Sequence, residues 1–107
     1  MRALAISRRA QADLQGIAAY TRRTWGDPQA ARYLDAMRRR LALLLRHPEQ
    51  GTPREDVGPD YRSVPLGEHV AFYHVTDSHV EIVRVLHERM DVHGALTRDP
   101  AAGPPKE

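Results

Sequence analysis

The 107-residue chain has no cysteine, which excludes disulfide staples, thiolate nucleophiles and cysteine-based zinc sites. Any chemistry must use other groups. It has one tryptophan, one phenylalanine and a single lysine, Lys106, among sixteen basic residues. No apolar run approaches the roughly 18 residues needed to span a bilayer, and the apolar stretch after Arg2 is too brief for the core of a secretion signal. A cytoplasmic protein without membrane association is therefore expected. What is present is ordinary globular composition, 41% hydrophobic and 28% charged, enough for one modest core and too little for two. One domain over 1–97 and a flexible tail over 98–107 are expected, because the tail ends in a Pro- and Gly-rich run.

A formal net charge of +2 conceals a strong asymmetry. Residues 1–54 carry eleven arginines against four acids, and residues 55–107 carry five basic residues against ten acids. The first half is cationic. The near absence of lysine favours planar, bidentate recognition of carboxylates and phosphates, although plentiful alanine and proline point equally to base composition as its source. An acidic protein segment or a nucleic acid would be steered to the first half.

Arg2 to Ile6 alternates as a short strand, and Ser7 offers a helix N-cap. Ala10, Leu14, Ile17, Ala18, Thr21 and Trp25 then recur at three- and four-residue steps, with Arg8, Arg9, Asp13, Arg22 and Arg23 off that stripe. Gly26 stops the helix, Asp27 is the expected cap of a second, and Pro28 suits its first turn. Ala31, Leu34, Met37, Leu41, Leu44 and Leu45 form the second apolar stripe, with Asp35 and Arg39 spaced as an ion pair. Residues 48–60 read as a surface loop. Tyr61 to Val64, His69 to Val75 and His79 to Leu86 read as three strands, the last apolar on both faces as a central strand is. Glu88 to Leu96 reads as a short helix or cap. The order βααβββ predicts an α+β two-layer sandwich, a helical hairpin packed on a mainly antiparallel sheet.

Several motifs carry a family resemblance. Ser7-Arg-Arg-Ala-Gln-Ala-Asp-Leu14, Trp25-Gly26, Arg32-Tyr33-Leu34, Arg62-Ser63, Phe72-Tyr73-His74-Val75, Glu81 through His87 and Arg89-Met90-Asp91 resemble ParE-type toxins in order and spacing, over roughly residues 3–96. The resemblance implies a toxin of a type II toxin–antitoxin system in the ParE/RelE superfamily, associated with plasmid stabilisation. It further implies a ParD-like antitoxin partner in a hetero-oligomer, and DNA gyrase as the target whose inhibition arrests growth. No cofactor, metal or sequence-specific DNA contact is implied.

The RelE branch cleaves mRNA, so the alternative is an endoribonuclease. Such an enzyme needs a base, cations around the scissile phosphate and an acid. RelE-like enzymes resemble this chain in fold but supply basic groups on the central strands and often a tyrosine near the C-terminus. Here Val70 stands three before Tyr73, and His93-Gly94-Ala95-Leu96 has no tyrosine. Arg62, Arg84, His87 and Arg89 remain as nuclease candidates. A non-toxic basic partner protein is a third reading.

Charge assigns antitoxin binding to Arg22, Arg23, Arg32, Arg38 and Arg39 of the hairpin. Target binding is assigned to the end of the domain, Arg84, His87, Arg89, Asp91 and His93, polar groups on a short surface segment. Each has a plainer reading: Arg84 pairs with an acid such as Glu81 or Asp91, His87 closes a strand, and Arg89 pairs with Asp91. Trp25 is expected to cap the hairpin core and Phe72 to be core, while Tyr61 and Tyr73 can bury their rings with a wet hydroxyl. The six histidines show no helical i,i+4 pair, which argues against zinc.

Overall fold

A computed structural model describes residues 2–89 of the chain. Strand β1 (Ala3–Ile6) leads into helix α1 (Arg8–Trp25), and α2 (Asp27–Leu43) follows after a single residue. The strands β2 (Thr52–Pro53), β3 (Tyr61–Leu66), β4 (His69–Val75) and β5 (His79–His87) complete one five-stranded sheet of order β1-β5-β4-β3-β2. The last four strands form an antiparallel meander, and β5 returns to lie parallel to β1. The expected α+β sandwich is present, with the two-residue β2 an addition inside the segment read as loop. The reading of a cap after Glu88 falls, from Met90 on, outside the described residues.

Local chemistry sets the element boundaries. The Ser7 hydroxyl accepts from the Ala10 N–H at 3.0 Å as the N-cap of α1. Gly26, at φ 87°, ends α1 by donating its N–H to the Arg22 carbonyl, and its own carbonyl accepts the first bond of α2 from Ala30. Asp27, expected as the cap, is instead the first residue of α2: with one residue between the helices, the cap position falls to Gly26. Its carboxylate still complements the helix dipole there. Pro65 lies inside β3, one residue short of its end, where the two-residue β2 no longer reaches; the turn is Gly67-Glu68 alone. Gly67, at φ 65°, occupies the first central position of this two-residue hairpin, a place that needs glycine.

Both helices lie on one face of the sheet. Ala10, Ile17, Met37, Leu41 and Leu44 meet Val64, Leu66, Ala71, Tyr73, Val80, Ile82 and Val85 in the main core. Along α2 the buried alanine is Ala30, while Ala31 is exposed, a rotation of the stripe by one position. On the opposite face Phe72 and Leu86 form a smaller cluster with Val57, Val70 and Val83. The loop before β3 covers it, the Arg54 guanidinium lying 5.0 Å from the centre of the Phe72 ring. Tyr73 is fully buried, and its hydroxyl is not wet as expected: it donates to the Pro48 carbonyl and accepts from the Gly51 N–H, both at 2.8 Å. Among the described residues no helix is long and apolar enough to cross a membrane.

Candidate functional site

A bulge in β5 determines what the end of the sheet presents. Tyr73 is paired with Ile82 but Phe72 with Arg84, so Val83 is an extra residue. The alternation of faces breaks just after it, between Arg84 and Val85. Val83 and Leu86 join the far-side cluster, whereas Arg84 and Val85 both turn toward the helices. The Arg84 guanidinium donates through Nε and Nη2 to the two carboxylate oxygens of Asp13 at 2.8 and 3.0 Å, and the Val85 N–H donates to the same carboxylate at 2.9 Å. The freed Val83 carbonyl accepts from the Ser7 hydroxyl at 2.9 Å. Arg84 is 4% exposed, so its reading as an ion-paired residue holds, with Asp13 of α1 as a partner that the spacing did not suggest; Asp91 lies outside the described residues. Arg84, assigned to target binding with His87 and Arg89, is buried in this pair and not exposed at the surface. Asp13 itself lies on the buried line of α1, three residues after Ala10 and four before Ile17, not off it. One acid on a buried helical line and one arginine in an apolar strand were the available signal.

Past the bulge, β5 ends in a cleft of about 440 Å³ between the hairpin and the β3–β4 turn. Tyr33 of α2, His69 of β4 and His87 of β5 meet there. The Tyr33 hydroxyl has three neighbours: the Leu66 carbonyl at 3.1 Å, the Glu68 N–H at 2.9 Å and His69 Nδ1 at 2.8 Å. One proton and two lone pairs satisfy all three only if Tyr33 donates to Leu66 and accepts from Glu68 and from His69 Nδ1–H. His69 thereby keeps its lone pair on Nε2. Burial, then the neighbouring His87, push its pKa down to about 4, against a smaller opposing effect of Asp13. Burial also raises the Tyr33 phenol, with Glu68 and Glu88 adding to the rise. The rings of His69 and His87 stand edge to face, their centres 5.3 Å apart. His69 drew no notice in the sequence, since nothing local marks a strand histidine for a tyrosine thirty-six residues away.

The other nuclease candidates do not converge on this cleft. Arg62 is paired with Tyr73, four residues up β3 from Leu66, about 13 Å at ~3.3 Å per residue. Its guanidinium donates to the Glu49 and Gly51 carbonyls at 3.2 and 2.8 Å, holding the loop. Only His87 and Arg89 line the cleft. Trp25, expected as a cap on the core, is instead 57% exposed on the cleft wall beside Tyr20. Asp91 and His93 lie outside the described residues. The hairpin arginines Arg22, Arg23, Arg32, Arg38 and Arg39 are all exposed, Arg39 being paired with Asp35. Among the described residues no group of three or more metal-ligating side chains occurs.

Comparison with known proteins adds a family. Residues 4–92 match the family described as ParE toxin of type II toxin-antitoxin system, parDE. A protein of Caulobacter vibrioides named Toxin ParE1 is 40% identical over 96 residues, 90% of this chain and 99% of that protein. One of Mycobacterium tuberculosis, also named Toxin ParE1, is 38% identical over 88 residues, 81% of this chain and 90% of its own length. Among solved structures, the chromosomal ParDE TA system from P. aeruginosa superposes with a TM-score of 0.72 at 24% identity, covering 81% of this chain and 96% of the other. That likeness is one of fold.

Proposed function

The chain belongs to the ParE toxin family of type II toxin–antitoxin systems, and we propose that it acts in the cytoplasm by binding and poisoning DNA gyrase until a ParD-like antitoxin neutralises it. The observation that carries the antitoxin half of this reading is the exposure of Arg22, Arg23, Arg32, Arg38 and Arg39 on one helical hairpin. Such a surface attracts an acidic peptide and sets its rate of encounter, while apolar side chains at the edges of the hairpin, Leu43 among them, govern dissociation. The complex is a hetero-oligomer in this reading.

Target contact is assigned to the end of β5, to His87 and Arg89 together with Asp91 and His93. Both described members line a cleft at the surface, the kind of place where function concentrates. The binding mechanism is favoured over RNA cleavage because two of the four nuclease candidates are occupied by structural bonds: Arg84 by Asp13 and Arg62 by loop carbonyls. Purified protein should block supercoiling by gyrase and leave mRNA on translating ribosomes intact. Position-specific mRNA cleavage that is lost in Arg62→Ala or His87→Ala would replace this reading by the endoribonuclease one. Charge reversal at Arg22 and Arg39 should slow antitoxin association at low salt; an unchanged rate would refute steering by the hairpin.

A further inference from the structure

The cleft beside the hairpin is opposite in sign to the helices around it. Two carboxylates, Glu68 and Glu88, line it against one arginine, Arg89. Both acids are exposed, and among the described residues neither is engaged in a salt bridge. The floor supplies an acceptor. His69 is 8% exposed, its Nδ1–H is committed to Tyr33, and its Nε2 lone pair has no partner among the described residues. Because no buried side-chain nitrogen or oxygen among the described residues lacks a partner, Nε2 lies where solvent reaches it, and the cleft is the space this ring lines. The walls are aromatic: Trp25 and Tyr20 leave 57% and 44% of their surfaces in water.

Acceptors at floor and rim with open aromatic faces between them suit a flat cation that carries several N–H donors. We propose that this cleft binds a guanidinium group, the arginine side chain of a partner polypeptide. An anion would meet the two carboxylates, and a neutral amide would gain nothing from them. An ammonium ion would satisfy the charges but lacks a plane to lay on Trp25, whereas guanidinium stacks on aromatic faces and donates from its edges at once. None of the five arginines assigned to the antitoxin lines this cleft, and its sign is opposite to theirs, so it engages a basic segment rather than the acidic peptide.

Trp25 is the only tryptophan of the chain, so its emission reports on this cleft alone. N-acetyl-arginine amide should change that emission in a saturable way, N-acetyl-lysine amide should bind about five-fold more weakly, and the neutral N-acetyl-citrulline amide should give no saturable change. The double variant Glu68→Gln/Glu88→Gln, altered only at exposed positions, should keep the circular dichroism and melting of the parent while losing about five-fold or more in affinity for the arginine amide. A citrulline response equal to that of arginine, no saturable response to arginine, or undiminished affinity in the folded double variant would overturn the proposal. A change of emission with protein concentration alone would also overturn it, since a second copy would then be the occupant.

Discussion

Replacing Asp13 by alanine takes the carboxylate from a buried guanidinium and leaves a backbone N–H in the core without its acceptor. Arg84 and Asp13 have side chains 4% and 6% exposed, and the carboxylate accepts two bonds from Arg84 and a third from the Val85 N–H. Removing one partner of a buried pair costs about 3–5 kcal/mol, because the remaining charge stays desolvated. The unsatisfied N–H adds about 1–3 kcal/mol. Against a total stability of roughly 5–15 kcal/mol for a domain, Asp13→Ala should lose about 4–8 kcal/mol, a large part of the whole. Replacing both partners by apolar groups of similar volume, Asp13→Leu with Arg84→Met, removes both buried charges and leaves the Val85 N–H without its acceptor, so the double variant should lose about 1–3 kcal/mol. Urea unfolding followed by circular dichroism, on the parent, both single variants and the double, closes the cycle. Asp13→Asn and Arg84→Lys supply milder legs if the first pair does not fold. The reasoning fails if Asp13→Ala costs less than about 1 kcal/mol, or if the double variant loses the sum of the single losses, since either result means no coupled, desolvated pair.

His69 should make stability fall as the solution is acidified. Its folded pKa of about 4 lies below the ordinary 6.5, so between these values the unfolded chain takes up a proton that the folded chain refuses. The contribution is fully present above pH 6.5 and is lost as pH falls to about 4, some 3 kcal/mol in all; an NMR titration of the His69 ring with a midpoint near 6.5 would refute it. Gly67→Ala should cost about 2 kcal/mol, because the residue has a positive φ and a Cβ there would lie 2.7 Å from Cε1 of Tyr33; an unchanged melting temperature would show that the turn relaxes freely. Tyr73→Phe should cost about 1–3 kcal/mol by leaving the buried Gly51 N–H without its acceptor, and hydrogen exchange at Gly51 should accelerate; unaltered protection would show that the hydroxyl does not anchor the loop.

Elements built from near neighbours were legible in the chain. The stripe from Ala10 to Thr21, the Ser7 cap, the Gly26 stop and the β-rich run from His69 to Leu86 each follow from chemistry within one or two turns or one hairpin. Where such local rules failed, the competing influence was tertiary. Trp25 fits the stripe by spacing, yet as the last residue of α1 it lines the open cleft and remains in water. Thr52 and Pro53 carry no strand signal of their own; they pair because the loop must pass the edge of β3. Of the candidate site, the hairpin arginines and the pair His87 and Arg89 were readable as exposed polar groups, whereas Tyr33 and His69 were not, because the bond between them spans two elements.

The sequence by itself determined the layer architecture, since two helical stripes and an apolar central strand leave one economical way to bury them together. It also determined the charge asymmetry and the family, both of which are properties of residue order alone. Only the tertiary structure decided which polar residues are structural and which remain available. Arg84 keeps the helix-facing side of Val80 and Ile82 and meets Asp13, seventy-one positions away, while the one-residue bulge at Val83 brings Val85 and His87 to that same face, so that His87 emerges in a cleft beside Tyr33 and His69. A bulge and a long-range pairing depend on how strands register against one another in space, and no spacing along the chain encodes that register.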